Sequence, residues 1–222
     1  MFACYQTGTI ADLTGQNVAT LTGTGLTFGP SGLGGFSTTS YPGYGTGSKV
    51  SAVGTQLTLA AIFTASAVRP GQIMARDADS GGRSFTLDAP NVDNQVRWYL
   101  EGTNVLSANS AFTVGKPCMV VAYAGHNNGR QAIFIDGVIR ASQNPGNLVA
   151  ATTPLLVGRR GYTSFEEPFQ GTIQMAAMWN RILNEAEIAW LYAEPYAVLS
   201  PPRRFFDHAE STATFRPQIV VM

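Results

Sequence analysis

Between Leu57 and Thr64 the side chains alternate with a period of two, and no other stretch narrows the fold so far. Leu57, Leu59, Ala61 and Phe63 point one way, with Thr58, Ala60, Ile62 and Thr64 on the other face. Both faces are fairly apolar, which predicts a central strand. Further strand-like runs follow at residues 72–76, 83–88, 95–100, 118–124, 130–135 and 171–180, separated by Gly, Pro, Asn and Asp. Strands at this spacing predict a sandwich. Asp136-Gly137, between Ile133-Phe134-Ile135 and Val138-Ile139, supplies the positive φ angles of a type I′ turn and predicts a hairpin.

One helix is signalled near the end. Asn184 can cap, Glu187 completes a capping-box arrangement, and Leu183 can staple to Ile188. Ile188, Leu191 and Tyr192 are its expected apolar face, and Pro195 is expected to end it. No internal repeat of fixed period is present, which disfavours a propeller or solenoid.

Half of the 24 glycines precede position 57, which excludes long helices there. Leu13, Val18, Leu21, Leu26, Phe28, Leu33, Phe36, Tyr41 and Tyr44 make this segment too apolar for a linker, so short strands and tight turns are expected. Residues 1–56 are read as a Gly/Thr-rich segment that joins the sandwich or makes an assembly contact, and 57–195 as the jelly roll proper. Residues 196–222 are read as an extended tail with Pro201, Pro202, Arg203 and Arg204, closing on Ile219, Val220, Val221 and Met222.

Composition bounds the partners. Only 13% of the residues are charged, about half the usual share, so the surface is weakly charged and hints at assembly. Lys+Arg and Asp+Glu balance at 14 each, and the arginines are scattered apart from Arg159-Arg160 and Arg203-Arg204, which disfavours nucleic acid and anionic membranes as partners. Cys4 and Cys118 lack metal-type spacing; Cys118 lies in an apolar run and reads as a buried free thiol, with a Cys4–Cys118 disulfide as the alternative. Residues 1–15 lack a signal-peptide pattern and no 18-residue apolar run occurs, so neither secretion nor membrane insertion is expected.

Three motifs carry a family resemblance. Ala132-Ile133-Phe134-Ile135-Asp136-Gly137-Val138 is followed by Pro154-Leu155-Leu156-Val157-Gly158. Phe169-Gln170-Gly171-Thr172-Ile173 then leads through Met175, Ala177 and Trp179. The third is Trp179-Asn180-Arg181-Ile182-Leu183-Asn184-Glu185-Ala186-Glu187-Ile188, with Asn184 where the family has Ser or Thr. From about Leu57 to Pro195 the chain thus resembles the laminin-G-like, concanavalin A-like lectin/glucanase jelly rolls. The resemblance implies an all-β, two-sheet antiparallel jelly-roll sandwich with one short C-terminal helix. Leu191-Tyr192-Ala193-Glu194-Pro195-Tyr196-Ala197-Val198-Leu199 also resembles the ending of such domains encoded by tailed bacteriophages.

Chemistry is sparse. Sandwich glycosidases of this architecture carry an E-x-D-x-x-E string, which places acid and nucleophile on one sugar; this sequence has none. Asp77 and Asp79 share a strand face, but Ser80-Gly81-Gly82 follows, so a polar hairpin tip is expected; calcium ligation with Asp93 as third ligand is the alternative. His126 and His208 stand apart from any Ser, Cys or second His, and His126 reads as a loop residue. The Gly-rich string 29–35 lacks the Lys and the strand-to-helix context of a phosphate loop. Trp98 and Tyr99 fall on opposite strand faces, one for the core and the other free to stack on a sugar; Tyr162 is a second exposed candidate. For each aromatic the core or interface reading stands ahead of sugar stacking.

No catalytic residue, metal-ligand set or ligand-binding residue is assigned from sequence. The expectation is a non-enzymatic structural or adhesion protein of a tailed-phage virion, in capsid decoration, tail or fibre. Its partners would be other virion proteins and further copies of itself. The alternative is a carbohydrate-binding module for host surface glycans, with or without calcium, and the third reading is a glycoside hydrolase.

Overall fold

The computed structural model describes residues 2–4, 10–13, 19–44, 55–77, 84–89, 93–100, 104–125, 130–144, 148, 153–161 and 167–197. They form two antiparallel sheets and one helix, a concanavalin A-like jelly-roll sandwich. One sheet holds β1 (Phe2–Cys4), β3 (Thr27–Gly29), β4 (Gly32–Gly34), β6 (Gln56–Ala65), β11 (Pro117–Gly125), β12 (Arg130–Ile135), β13 (Val138–Gln143) and β15 (Gly171–Trp179). Its order is β13-β12-β11-β6-β15-β4-β3, with β1 also paired to β15. The other holds β2 (Ala19–Thr22), β5 (Tyr41–Tyr44), β7 (Gly71–Arg76), β8 (Phe85–Ala89), β9 (Val96–Leu100), β10 (Asn104–Ala108) and β14 (Leu155–Val157) in the order β10-β9-β8-β7-β14-β5-β2. The first five strands, all from residues 1–56, belong to these two sheets.

The main core lies between the sheets. Leu57, Leu59, Ala61 and Phe63 of β6 face inward, and the Phe63 ring meets Phe112 and Phe169 edge-on with centroids 5.6 Å away in each case. From the facing sheet Trp98 tilts against Phe85 at 5.6 Å. Each such side chain adds roughly 1.5–3 kcal/mol on removal from water. The other face of β6 is also dry: Ala60 and Ile62 join Met119, Val121, Phe134, Met175 and Ala177 in a second cluster on the outside of the eight-stranded sheet. Flanked by β11 and β15 and covered on both faces, β6 is the central strand its alternation predicts.

The lid on that cluster is α1 (Glu185–Ala193), which places Leu183, Ile188 and Leu191 over it. Asn184 caps the helix with both reciprocal bonds of the capping box: Glu187 N donates to Asn184 Oδ1 and Asn184 N to Glu187 Oε2, each at 2.9 Å. Arg181 adds a two-nitrogen bond to Glu187, and together with the capping bond this holds the carboxyl down at about 2. Thr58, buried within the sheet, fixes the approach, its Oγ1 donating to Arg181 O at 2.7 Å and accepting from Leu183 N at 3.1 Å. Tyr192 departs from its expected core role: it lies over Gly137 at the β12–β13 turn and stays 48% exposed. That turn has the expected left-handed pair, Asp136 at φ 50° and Gly137 at φ 79°.

The sequence gives no warning of β10, whose Asn, Ser and Ala are weak strand formers. Full pairing with β9 holds it in place. The disulfide alternative is overturned: β15 and β6 separate β1 from β11, so the Cys4 and Cys118 positions lie three strand spacings, or about 14 Å, apart. Cys118 is a free buried thiol, pushed up to about 12 chiefly by burial. Among the described residues, no helix is long and apolar enough to cross a membrane.

Candidate functional site

Alternation that fills the core also sets what the outer face of the seven-stranded sheet displays. In β8, Phe85, Leu87 and Ala89 point inward, leaving Thr86 and Asp88 outward; in β9, Val96, Trp98 and Leu100 point inward, leaving Arg97 and Tyr99 outward. In β7 a bulge between Gln72 and Met74 sends both Ile73 and Met74 into the core and sets Gln72 opposite Asp88. With Arg160 and Glu167 these five side chains line a pocket of about 170 Å³.

Residues 158–161 and 167–169 bring Arg160 and Glu167 across the face. These two stretches are held by main-chain bonds: Gly158 N to Ile73 O at 3.0 Å, Phe169 N to Gly158 O at 2.8 Å and Gln72 N to Glu167 O at 3.0 Å. Gly158 is obligatory, since it sits at φ 75° and a Cβ there would collide with the Phe36 ring. Glu167 holds the left-handed region at φ 39°, a local cost of about 1 kcal/mol or more that the surrounding bonds sustain.

The pocket is wired by charge. Arg97 grips Asp88 with Nε to Oδ1 at 2.9 Å and Nη2 to Oδ2 at 2.8 Å, and its guanidinium lies 4.9 Å from the centre of the Tyr99 ring. Arg160 Nε donates to Asp77 Oδ2 at 2.7 Å, and its Nη1 stands 3.8 Å from Glu167 Oε2. Gln72 Nε2 donates to Glu167 Oε2 at 2.7 Å and more weakly to Asp88 Oδ2 at 3.4 Å. Both acceptors are carboxylates, which fixes the amide orientation and turns Gln72 Oε1 away from them; that oxygen is buried and accepts no hydrogen bond.

Burial pushes the Asp88 carboxyl up, while the bonds from Arg97 pull it back. Burial also works against the Arg97 charge, yet the bonds to Asp88 hold its guanidinium above the ordinary value. The two directions conflict over how firmly the pair is ionised. A fork-to-fork contact at 2.8–2.9 Å needs both carboxylate oxygens free of protons, so the ionised pair prevails. Burial likewise raises the Tyr99 hydroxyl.

Trp98 is wholly buried and Tyr99 faces the pocket. Asp77 sits in no polar hairpin tip exposed to water but is buried against Arg160, and Asp79 lies outside the described residues. Asp93 precedes β9 at the Ala89 end of the sheet, whereas Asp77 follows β7 at the Phe85 end, about 13 Å or more along the strands. The described pair therefore does not converge on one calcium ion, and no group of three metal-ligating side chains occurs among the described residues. His126, Tyr162, Arg203, Arg204 and His208 lie outside the described residues. Sequence reading left Gln72, Thr86, Asp88, Arg97 and Glu167 unassigned. Their signal was present in the polar positions of otherwise apolar strands, Thr86-x-Asp88 and Arg97-x-Tyr99.

A lectin-type sandwich with a polar pocket on its open face is the class that these features define. The chain belongs to the concanavalin A-like lectin/glucanases superfamily, whose laminin G-type model matches residues 38–189. No curated protein sequence matches it. Among solved structures it is similar to the CBM40 domain of a Ruminococcus gnavus IT-sialidase, bound to α2,3-sialyllactose (TM-score 0.56, 16% identity, 64% of this chain and 84% of that one). It also resembles Trypanosoma rangeli sialidase (TM-score 0.63, 15% identity), covering 86% of this chain but only 32% of that enzyme. A third likeness is the SAP-like pentraxin of Limulus polyphemus (TM-score 0.52, 14% identity, 62% of this chain and 70% of that one). At these identities the likeness is one of fold.

Proposed function

We propose that this protein is a carbohydrate-binding module whose glycan site is the pocket on the outer face of the seven-stranded sheet. The observation that carries the reading is the convergence of seven polar side chains, including Tyr99 beneath Arg97, on an otherwise apolar sandwich. Ring hydroxyls need such fixed donors and acceptors. At about 170 Å³ the pocket suits a single sugar ring or chain end rather than a long polymer. The likeness to a sialidase carbohydrate-binding module supports the same reading. A glycan array probed with and without chelator, followed by titration calorimetry of the hits, tests it; a wild-type protein that retains no glycan defeats it.

The module is proposed to bind without hydrolysing. Asp88 is held by two guanidinium nitrogens and has no proton to donate opposite Glu167. Release of free sugar from an array hit would overturn this.

A second reading, compatible with the first, sets the module on a phage particle. Its support is the phage-like ending at residues 191–199 and the exposed apolar side chains Leu21 and Phe28 on β2 and β3, and Trp190 on α1, which a neighbouring subunit would cover. Limited proteolysis of free and particle-bound protein separates the readings: equal cleavage of the flanks in both states removes the assembly role.

A further inference from the structure

We infer that the protein pairs with a second copy of itself along the side of the sandwich where β2 and β3 lie, which sets two pockets on one face. The inference deepens the assembly reading, on which it rests for the cover of Leu21 and Phe28, by naming the neighbour. It concerns the isolated chain and needs no particle.

The two sides of the sandwich are finished differently. On one side the outermost strands, β10 and β13, are stitched together: Gln143 Nε2 donates to Val105 O and Arg140 Nη2 to Asn109 O, each at 3.3 Å. On the other side β2 and β3 are outermost, and among the described residues neither has a strand paired to its outer edge. They are consecutive in the chain, joined by residues 23–26, where Gly25 N donates to Ser40 Oγ at 3.0 Å. Both edges therefore open the same way. Leu21 shares a strand face with Ala19, which packs on the main core, and Phe28 stands opposite the core residue Leu33. Both lie at the rim of that core, yet they are 46% and 44% exposed.

Charge decides what closes this rim. Of the 14 basic and 14 acidic side chains, Asp12 alone precedes Lys49, and it is buried. Native edges are commonly guarded against pairing by charge, above all by Lys, or by Pro; β2, Ala-Thr-Leu-Thr, and β3, Thr-Phe-Gly, carry neither. Such an edge has nothing to attract a charged partner and nothing to repel its own copy. Two-fold antiparallel pairing with the same edge of a second copy meets its outward main-chain groups with identical ones and takes Leu21 and Phe28 out of water. With strands of four and three residues the ladder is short, so the contact is modest and concentration-dependent.

The axis of such a pair stands perpendicular to the sheets, so the outer faces of both seven-stranded sheets look the same way. The pocket strand β8 lies four positions from β2, which sets the two pockets about 40 Å apart on one surface. Neighbouring ligands on a cell or particle surface can then be held together.

Sedimentation velocity and light scattering on the full chain, from low to high micromolar concentration at low salt, test this. The expected result is a shift from the mass of one chain to twice that mass as concentration rises, with hydrogen exchange slowed at residues 20–22 and 27–29 in the dimer. Leu21→Lys combined with Phe28→Lys, at two exposed sites, is expected to weaken association roughly tenfold or more, as is Leu21→Glu with Phe28→Glu. Mixing the two variants is expected to restore the dimer as a mixed pair, which also shows that both fold.

Wild type that stays monomeric throughout overturns the inference, whether its edge amides are protected, so that the chain covers them itself, or open, so that the edge is left to another protein. A dimer that survives in the double-Lys variant places the interface elsewhere and overturns it too, as does loss in both variants with no recovery on mixing. The assembly reading falls separately, on equal cleavage of free and particle-bound protein.

Discussion

The outer faces of the two sheets begin from the same alternation and end as opposite surfaces. On the eight-stranded sheet the outward positions are Ala60, Ile62, Met119, Val121, Phe134 and Met175, and such a face requires a lid, which α1 supplies. On the seven-stranded sheet the corresponding positions are Gln72, Thr86, Asp88, Arg97 and Tyr99, which need hydrogen-bond partners rather than cover. The period of two decides that each strand has an outside. Residue type at those positions decides whether the outside becomes core or site.

If this division is right, damage to one face should leave the other untouched. The largest effect is expected from Ile188→Ala, which opens a cavity beneath α1: a loss of roughly 2–5 kcal/mol in chemical denaturation, with glycan affinity of the folded fraction unchanged. Lost affinity at full foldedness would mean that the faces are coupled. The reciprocal test is Tyr99→Ala, expected to weaken glycan binding about tenfold, or about 1.4 kcal/mol, with a smaller change in thermal midpoint.

Asn184→Ala sharpens the helix side at about 1 kcal/mol. The cap also carries a pH signature. Glu187 is held at about 2, below its ordinary 4.5, so its contribution is fully present above the ordinary value and is lost as pH falls from there toward 2. A melting series between pH 5 and 2 should show wild type and Glu187→Gln converging at the acid end. A constant gap between them would remove the carboxylate from the account.

The smallest expected signal is a chemical one. With its thiol at about 12, Cys118 is ionised in only on the order of one molecule in ten thousand at pH 8, and it is buried besides. Peptide mapping after brief alkylation should find it unmodified in the native protein and modified after unfolding. Rapid native labelling would mean that the core opens along β11.

Most of the sandwich was legible because its signals are local. The two dry faces of β6, the Asp136-Gly137 turn and the Asn184 cap each follow from a few adjacent residues. Tyr192 misled because helical spacing fixes a direction but not what stands there: the β12–β13 turn reaches only far enough for Tyr192 to rest on Gly137. The pocket was not legible as a unit. Gln72 meets Glu167 across 95 positions and Asp77 meets Arg160 across 83, distances no local pattern spans. A bulge that inserts Ile73 shifts the parity of β7, which counting by twos cannot anticipate.

Main-chain atoms of Gly158 and Glu167 make the ties to β7, and Phe169 N ties back to Gly158 O, whereas the pocket is lined by the side chains of Arg160 and Glu167. Anchorage and recognition are thereby written in different parts of the same residues. Under the proposed carbohydrate-binding reading, exchanges at Arg160 or Glu167 would change what the pocket recognises while the main-chain ties stay in place, so specificity could diverge on an unchanged scaffold.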